Sequence, residues 1–198
     1  RGAAEEALRF NLLSLPGMGW LGASVTLNAV RCFSVAVFLL LLAAGFFGSP
    51  DPLKNIAPTF VWVVWWVGMA FISALLGNLW ALVNPWKILF TWFERATGGF
   101  GPFLTYPALL GRWPAVVLFL VFAWMELISG QSEHPRTLAM LIVAYSAITW
   151  TGMAFFGREV WLKNGEIFTT VYGLLARLAP TVGEAGRWQA RWPAVGLL

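Results

Sequence analysis

No Asp, Glu, Lys, Arg or His occurs from Thr59 to Val83, a stretch that lies between Pro58 and Pro85. A helix of about 20 apolar residues spans the roughly 30 Å hydrocarbon core of a bilayer. Water is absent there, so the backbone must satisfy its own hydrogen bonds, which a single segment achieves only as a helix. Proline is favoured in the first turn of a helix, as at Pro58. The residue before a proline is disfavoured in helical geometry, so Pro85 marks the end of the helix. The stretch therefore predicts a membrane-spanning helix over 58–83.

The composition extends this prediction to the whole chain. Hydrophobic residues make up 59% of the 198 residues and charged residues 11%, whereas soluble domains contain about 25% charged residues. The basic residues are scattered and form no stripe with interleaved aromatic residues, so we exclude nucleic acid as a partner. The single cysteine, Cys32, excludes an internal disulfide and a multi-cysteine metal site. We predict an all-α, polytopic bundle in the lipid bilayer.

Apolar runs separated by Gly/Pro turns predict about four spans, which are 28–48, 58–83, 113–129 and 136–157. Two further segments show apolar residues at helical spacing beside charged ones, and we expect both to be interfacial amphipathic helices. These segments are Trp86–Phe93 and 158–178, of which the second could instead link to a further membrane segment.

Three regions follow from these helices. Residues 1–27 form a cytoplasmic or interfacial segment, and residues 28–157 form the four-helix membrane domain. Residues 158–198 supply a cytoplasmic-side amphipathic helix and the start of a further segment. The sequence begins without Met and ends in an apolar run, so we expect a segment of a longer chain.

The basic residues predict the orientation of the chain. Four spans place eleven Lys and Arg residues on the side of the N-terminus and only Lys54 and Arg136 on the other. Because basic residues near helix ends resist translocation, the N-terminus is predicted to be cytoplasmic.

Polar residues within the apolar runs are the candidate intramembrane site. The candidates are Asn78, Asn84, Glu126, Arg158 and Glu159. A buried amide binds a ligand, bonds to a neighbouring helix or caps a helix end. A carboxylate at membrane depth is a functional hypothesis by default, although Glu126 could also pair with Arg136 or reach water. The charges at 158 and 159 either form a gate or complement a helix dipole.

No pattern identifies catalytic residues, which remain unknown, and no cofactor motif occurs. His134 is the only histidine, and with Asp51, Glu126 and Glu133 it offers ligand types that a metal accepts. Their spacing enforces no site, and His134 equally suits a solvated turn. We therefore predict no metal centre.

The amino-acid sequences of several segments resemble those of a family of bacterial multi-pass membrane proteins often labelled fenitrothion hydrolase. The segments are 55–66, 77–86, 157–162, 173–180 and 194–198. The resemblance covers most of the chain from about residue 28 onward. It implies a bacterial membrane location, a longer chain with more helices, and hydrolysis of organophosphate esters.

Three functions are open at this point. The first is a non-enzymatic subunit that packs with other membrane proteins in a larger bacterial inner-membrane complex. The second, implied only by the family label, is a membrane hydrolase of hydrophobic esters in which Glu126 or His134 acts as base or ligand. The third is small-molecule binding or transport around Asn78, Asn84 and Arg158.

Overall fold

The computed structural model describes residues 10–11, 14–99, 101–184, 187–190 and 192–194. The described residues form eight helices, which we number in chain order. They are α1 Ser24–Phe47, α2 Ile56–Leu76, α3 Trp80–Val83, α4 Pro85–Ala96, α5 Trp113–Leu127, α6 Pro135–Phe156, α7 Arg158–Asn164 and α8 Ile167–Leu175. The middle of α2, Phe60–Val67, is π-helical. The all-α helix bundle predicted from composition is confirmed.

Three helices, α1, α2 and α6, are long and apolar enough to cross a membrane. The predicted spans 28–48 and 136–157 match α1 and α6 closely because both are uninterrupted apolar runs. The predicted span 113–129 corresponds to α5, which has 15 residues and is therefore shorter than a usual crossing. The bundle thus contains three full-length candidate spans and one short apolar helix.

The run predicted as one helix over 58–83 is divided in the structure. Helix α2 ends at Leu76, where Gly77 adopts a φ of +101° that residues with a Cβ rarely accept. A Cβ on Gly77 would lie 3.0 Å from Oγ1 of Thr181, whose hydroxyl donates a hydrogen bond to the Leu76 carbonyl. The backbone conformation and the approach of Thr181 together end the helix early.

The loops 48–55 and 128–134 lie at one end of the bundle, which we call the loop end. A Cβ on Gly45, near the end of α1, would lie 2.6 Å from Cβ of Ala139, near the start of α6. The indole N–H of Trp62, in the second turn of α2, donates to the carbonyl of Ser132 at 3.0 Å. Helices α1 and α6 are therefore antiparallel, and α2 starts beside the turn that precedes α6.

After Gly77 the chain turns back into the bundle instead of leaving it. The ring centroid of Trp80 lies 5.6 Å from that of Trp65, which precedes the end of α2 by about 16 Å of helix rise. Asn84 then caps α4 through a 3.0 Å bond from the Lys87 N–H to its side-chain oxygen, and α4 leads outward again. Helices α3 and α4 form the first re-entrant hairpin.

Helices α7 and α8 form a second re-entrant hairpin. Trp161 of α7 packs its ring against Gly152 of α6, where a Cβ would come within 2.2 Å of that ring. The Glu166 carboxylate, between the two helices, reaches the hydroxyl of Tyr145, which lies about 16 Å before the end of α6. Helix α8 then returns outward, so that Gly173 lies beside Asn78.

The two amphipathic segments thus have buried apolar faces. Trp86, Ile88 and Phe90 of α4 are buried, as are Ile167 and Phe168 of α8. These faces pack inside the bundle, and the segment read as one helix over 158–178 is two helices separated at Gly165–Glu166. Burial of these apolar faces inside the bundle stabilises both hairpins. Contact of the two segments with the bilayer interface stays a prediction.

A small sheet joins the two terminal regions. Strand β1 (Phe10–Asn11) pairs antiparallel with β3 (Arg187–Ala190), which pairs antiparallel with β2 (Thr181–Glu184). The predicted interfacial segment 1–27 therefore contains a strand, whereas residues 1–9 lie outside the described part. In the region 158–198, the described residues after α8 form turns and bends at 176–180, the hairpin of β2 and β3, and a turn at 193–194.

Candidate functional site

The carboxylate of Glu166 is the centre of the candidate site. Its side chain is fully buried and accepts hydrogen bonds from five donors. The Tyr145 hydroxyl donates to Oε1 at 2.7 Å, and Oε2 accepts from the Asn84 amide at 3.3 Å and from the Trp80 indole at 3.4 Å. The remaining two donors are the backbone N–H groups of Phe168 and Thr169, at 3.1 and 2.6 Å.

Glu166 is also the N-cap of α8, so that its carboxylate meets the positive end of the helix dipole. Among the described residues, no Lys, Arg or His forms an ion pair with it. Neutral donors and helix N–H groups therefore stabilise its negative charge. We call the set Trp80, Asn84, Tyr145, Glu166 and Thr169 the polar node.

The polar node lies near the middle of the bundle. Tyr145 is in the third turn of α6, about 15 Å of helix rise from the loop end. That distance is half of the roughly 30 Å hydrocarbon core. Asn84 and Glu166 are the tips of the two re-entrant hairpins, and their side chains meet at this depth.

The hairpin tips form a layer, which we call the partition, from residues 80–87 and 166–170. The residues of the partition divide between two cavities on its opposite sides. One side presents Trp80, Val83, Pro85, Trp86, Ile167 and Phe168, and the other presents Ala81, Asn84, Lys87, Thr169 and Thr170.

The first side of the partition closes an apolar cavity of about 380 Å³. Helices α1, α2, α5 and α6 line it, with Phe38, Trp65, Phe122 and Ile142 among their contributions. The ring of Phe168 lies at its base and packs against aromatic rings from α2, α4, α5 and α6 at centroid distances of 4.4–6.1 Å. This aromatic packing fixes the inner wall of the cavity.

The second side of the partition opens into a polar cavity of about 310 Å³, which we call the basic vestibule. Its charged lining residues are Lys87, Arg112, Lys163, Arg177 and Glu159. Asn84 and Thr169 form its inner end, where the Asn84 amide donates to the Thr169 hydroxyl at 3.4 Å. The polar node therefore lies between the vestibule, which Asn84 and Thr169 line, and the apolar cavity, which Trp80 and Tyr145 line.

The predicted polar residues occupy three separate places. Asn84 is in the polar node, whereas Asn78 is exposed and accepts a 3.1 Å bond from the Ala81 N–H. Arg158 is bound by Glu94 and by the Thr91 hydroxyl at 3.0 Å, toward the outer end of α4. The structure therefore does not bring Asn78, Asn84 and Arg158 together.

Glu159 and Glu126 complete the predicted set. Glu159 pairs with Arg158 at 3.1 Å and lines the basic vestibule. Glu126 is half-buried on α5. Among the ion pairs of the described residues, none joins Glu126 to Arg136. The described part of the chain also contains no group of three or more His, Cys, Asp or Glu residues that could hold a metal ion.

Sequence reasoning missed Glu166. The charged residues at 158, 159, 163 and 166 fit the polar face of one amphipathic helix, which made Glu166 resemble a surface residue. The available signal was local: Gly165 ends one helix, and Glu166 precedes the apolar run of the next. A carboxylate before such a run is a candidate N-cap.

These features define a class: an all-α membrane helix bundle with two re-entrant hairpins and a buried carboxylate between them. Comparison of the chain with family models, with curated proteins and with solved structures finds no match.

Proposed function

We propose that the protein is a non-enzymatic integral membrane protein that binds an apolar small molecule inside its helix bundle. The observation that carries this proposal is the apolar cavity of about 380 Å³ between α1, α2, α5 and α6. Its volume lies within the range of about 300–1,000 Å³ found for small-molecule sites. The cavity lies among apolar helices, so a hydrophobic compound can enter from the bilayer.

The chemistry of the cavity lining favours a hydrocarbon or aryl ligand. The hydroxyl of Ser34 is bound to the Val83 carbonyl, and that of Tyr145 to Glu166. The indole N–H of Trp86 donates to the Ser146 hydroxyl at 2.7 Å. These polar groups are engaged by the protein, so a ligand meets mainly methyl groups and ring faces, to which it binds by apolar burial.

A photoreactive dodecyl diazirine tests this proposal on the protein in lipid nanodiscs. Ala144 and Ala147, one turn apart on α6, are both exposed, and of the two only Ala144 lines the cavity. We expect saturable labelling that excess dodecanol suppresses, that Ala144→Trp strongly reduces, and that Ala147→Trp leaves unchanged. Labelling that dodecanol does not suppress, or that both variants change equally, would overturn the proposal.

Membership in a larger membrane complex is a second candidate function, supported by α5. Of its 15 residues only Ala115 is buried, and Val117, Leu120 and Trp124 are exposed. Such a surface suits either lipid or another membrane subunit. Native mass spectrometry of gently solubilised protein distinguishes the two, because a stable monomer without bound proteins contradicts the subunit proposal.

A bacterial inner-membrane location with a cytoplasmic N-terminus remains part of the proposal. The excess of basic residues on one side supports the orientation, and the family resemblance supports the bacterial membrane. In a Cys32→Ser background, an impermeant thiol reagent added to intact cells should label cysteine at the exposed position of Lys54. Labelling at Arg95 would contradict this orientation.

Ester hydrolysis stays a prediction that rests on the family resemblance alone. Membranes that contain the protein can be assayed with aryl phosphotriesters. Turnover that is lost in Glu126→Gln or His134→Ala would support hydrolysis, and turnover unchanged in both variants would remove those two residues as candidates.

A further inference from the structure

We infer that the basic vestibule binds a phosphate-bearing anion, a function that is independent of the apolar cavity. Four cationic side chains line this cavity of about 310 Å³, and they come from four different segments of the chain. These are Lys87 of α4, Arg112 before α5, Lys163 of α7 and Arg177 after α8. Tertiary packing therefore gathers cations that lie far apart in the sequence.

The charge of the vestibule is not compensated by its own carboxylate. Glu159 is the only acidic residue of its described lining, and one carboxylate oxygen accepts from Nε of Arg158 at 3.1 Å. Lys87, Arg112 and Lys163 outnumber this carboxylate and leave a positive potential in a recess with partly apolar walls. Such a recess attracts anions because low-dielectric walls focus the field.

The outer, cationic part of the vestibule suits an oxyanion. At the inner end, the Asn84 amide donates to Glu166 and Thr169, and the Thr170 hydroxyl donates to the Glu166 carbonyl at 3.2 Å. Gly173 contributes no side chain that would narrow the space. Lys and Arg offer only donors, and several of them around one group match the oxygens of phosphate better than the two of a carboxylate.

The phosphate group could belong to an anionic phospholipid headgroup or to a soluble phosphate ester. Basic pockets at the end of a membrane bundle are typical sites for lipid headgroups. The recognition chemistry is the same for both sources, so the experiment needs one arm for each.

The lipid arm measures phosphatidylglycerol that remains bound to the full chain after transfer from mixed phosphatidylcholine–phosphatidylglycerol nanodiscs to detergent, by native mass spectrometry. The soluble arm measures binding of inorganic phosphate in maltoside micelles, by calorimetry. The test variant is the double substitution Arg112→Gln, Lys163→Gln, which removes two exposed lining cations. The control Arg95→Gln, Lys54→Gln removes the same charge from exposed residues outside the vestibule.

We expect binding in at least one arm, and the arm that responds identifies the source. The test variant should weaken binding by on the order of tenfold or more, because charge-assisted hydrogen bonds are lost. The control should bind like the unmodified protein. Absence of binding in both arms, or an equal loss in both double variants, would overturn the inference.

Discussion

The apolar cavity and the basic vestibule lie back to back, yet their chemistry is opposite. The partition between them is a single layer of chain, residues 80–87 and 166–170. Some adjacent residues face different sides, as Trp80 and Ala81 do, and as Phe168 and Thr169 do. Two short helical hairpins that meet at mid-depth can therefore separate a hydrocarbon environment from a charged one.

The comparison also shows what holds the partition together. On the apolar side, aromatic rings pack around Phe168, and burial of their area stabilises the wall. On the other side, polar groups of the partition face the basic vestibule. The Glu166 carboxylate joins the two, because it binds Trp80 from the apolar wall and Asn84 from the vestibule.

Removing Glu166 should break the partition and have the largest effect. In Glu166→Ala, five donors lose their acceptor in a buried environment. We expect the free energy of unfolding to fall by on the order of 3–5 kcal/mol. Detergent titration followed by tryptophan fluorescence measures it. Glu133→Ala, which changes an exposed carboxylate, is the control, and an equal effect of both variants would contradict the role of Glu166.

Removing Asn84, on the vestibule side of the partition, should lower the free energy of unfolding by less than removing Glu166. Asn84→Ala removes the N-cap of α4 and one donor to Glu166, with an expected loss of about 2 kcal/mol. Asn78→Ala removes only an exposed bond to the Ala81 N–H and should cost below about 1 kcal/mol. The same titration compares the two amides, and a larger loss for Asn78 would show that depth in the bundle does not decide their importance.

Ser146→Ala should perturb only the apolar side and have the smallest effect. The Ser146 hydroxyl accepts the indole N–H of Trp86 at 2.7 Å, and the variant leaves that buried donor unpaired. We expect a loss of about 1 kcal/mol. Thr151→Ala, at an exposed position on the same helix, should change stability by less than about 0.5 kcal/mol. If Ser146→Ala and Thr151→Ala lower the free energy of unfolding equally, by heat or by detergent, the bond between Trp86 and Ser146 does not stabilise the wall of the apolar cavity.

Uninterrupted apolar runs made the outer helices predictable from the sequence. The predicted spans 28–48 and 136–157 differ from α1 and α6 by a few residues at most. Asn84 before Pro85 was also readable, because an Asn–Pro pair suits the start of a helix. These features depend on local chemistry and on hydrophobicity, which the sequence carries directly.

The re-entrant hairpins could not be predicted in the same way. Helix α2 ends at Leu76 although the residues from 79 to 83 are apolar, because Gly77 takes a positive φ and Thr181 approaches it from a distant segment. Glu166 acquires its role only when Trp80, Asn84 and Tyr145 converge on it from three other elements. Both features arise from tertiary contacts, which local patterns do not encode.

The partition itself can be tested by placing single cysteines on its two faces. Ala81 lines the basic vestibule and Val83, two residues later on α3, lines the apolar cavity. Thiols react as thiolates, which form in water and not among apolar side chains. In a Cys32→Ser background in nanodiscs, a water-soluble maleimide should therefore modify Ala81→Cys on the order of tenfold faster than Val83→Cys. Equal rates for the two cysteines would contradict a partition between a polar and an apolar cavity.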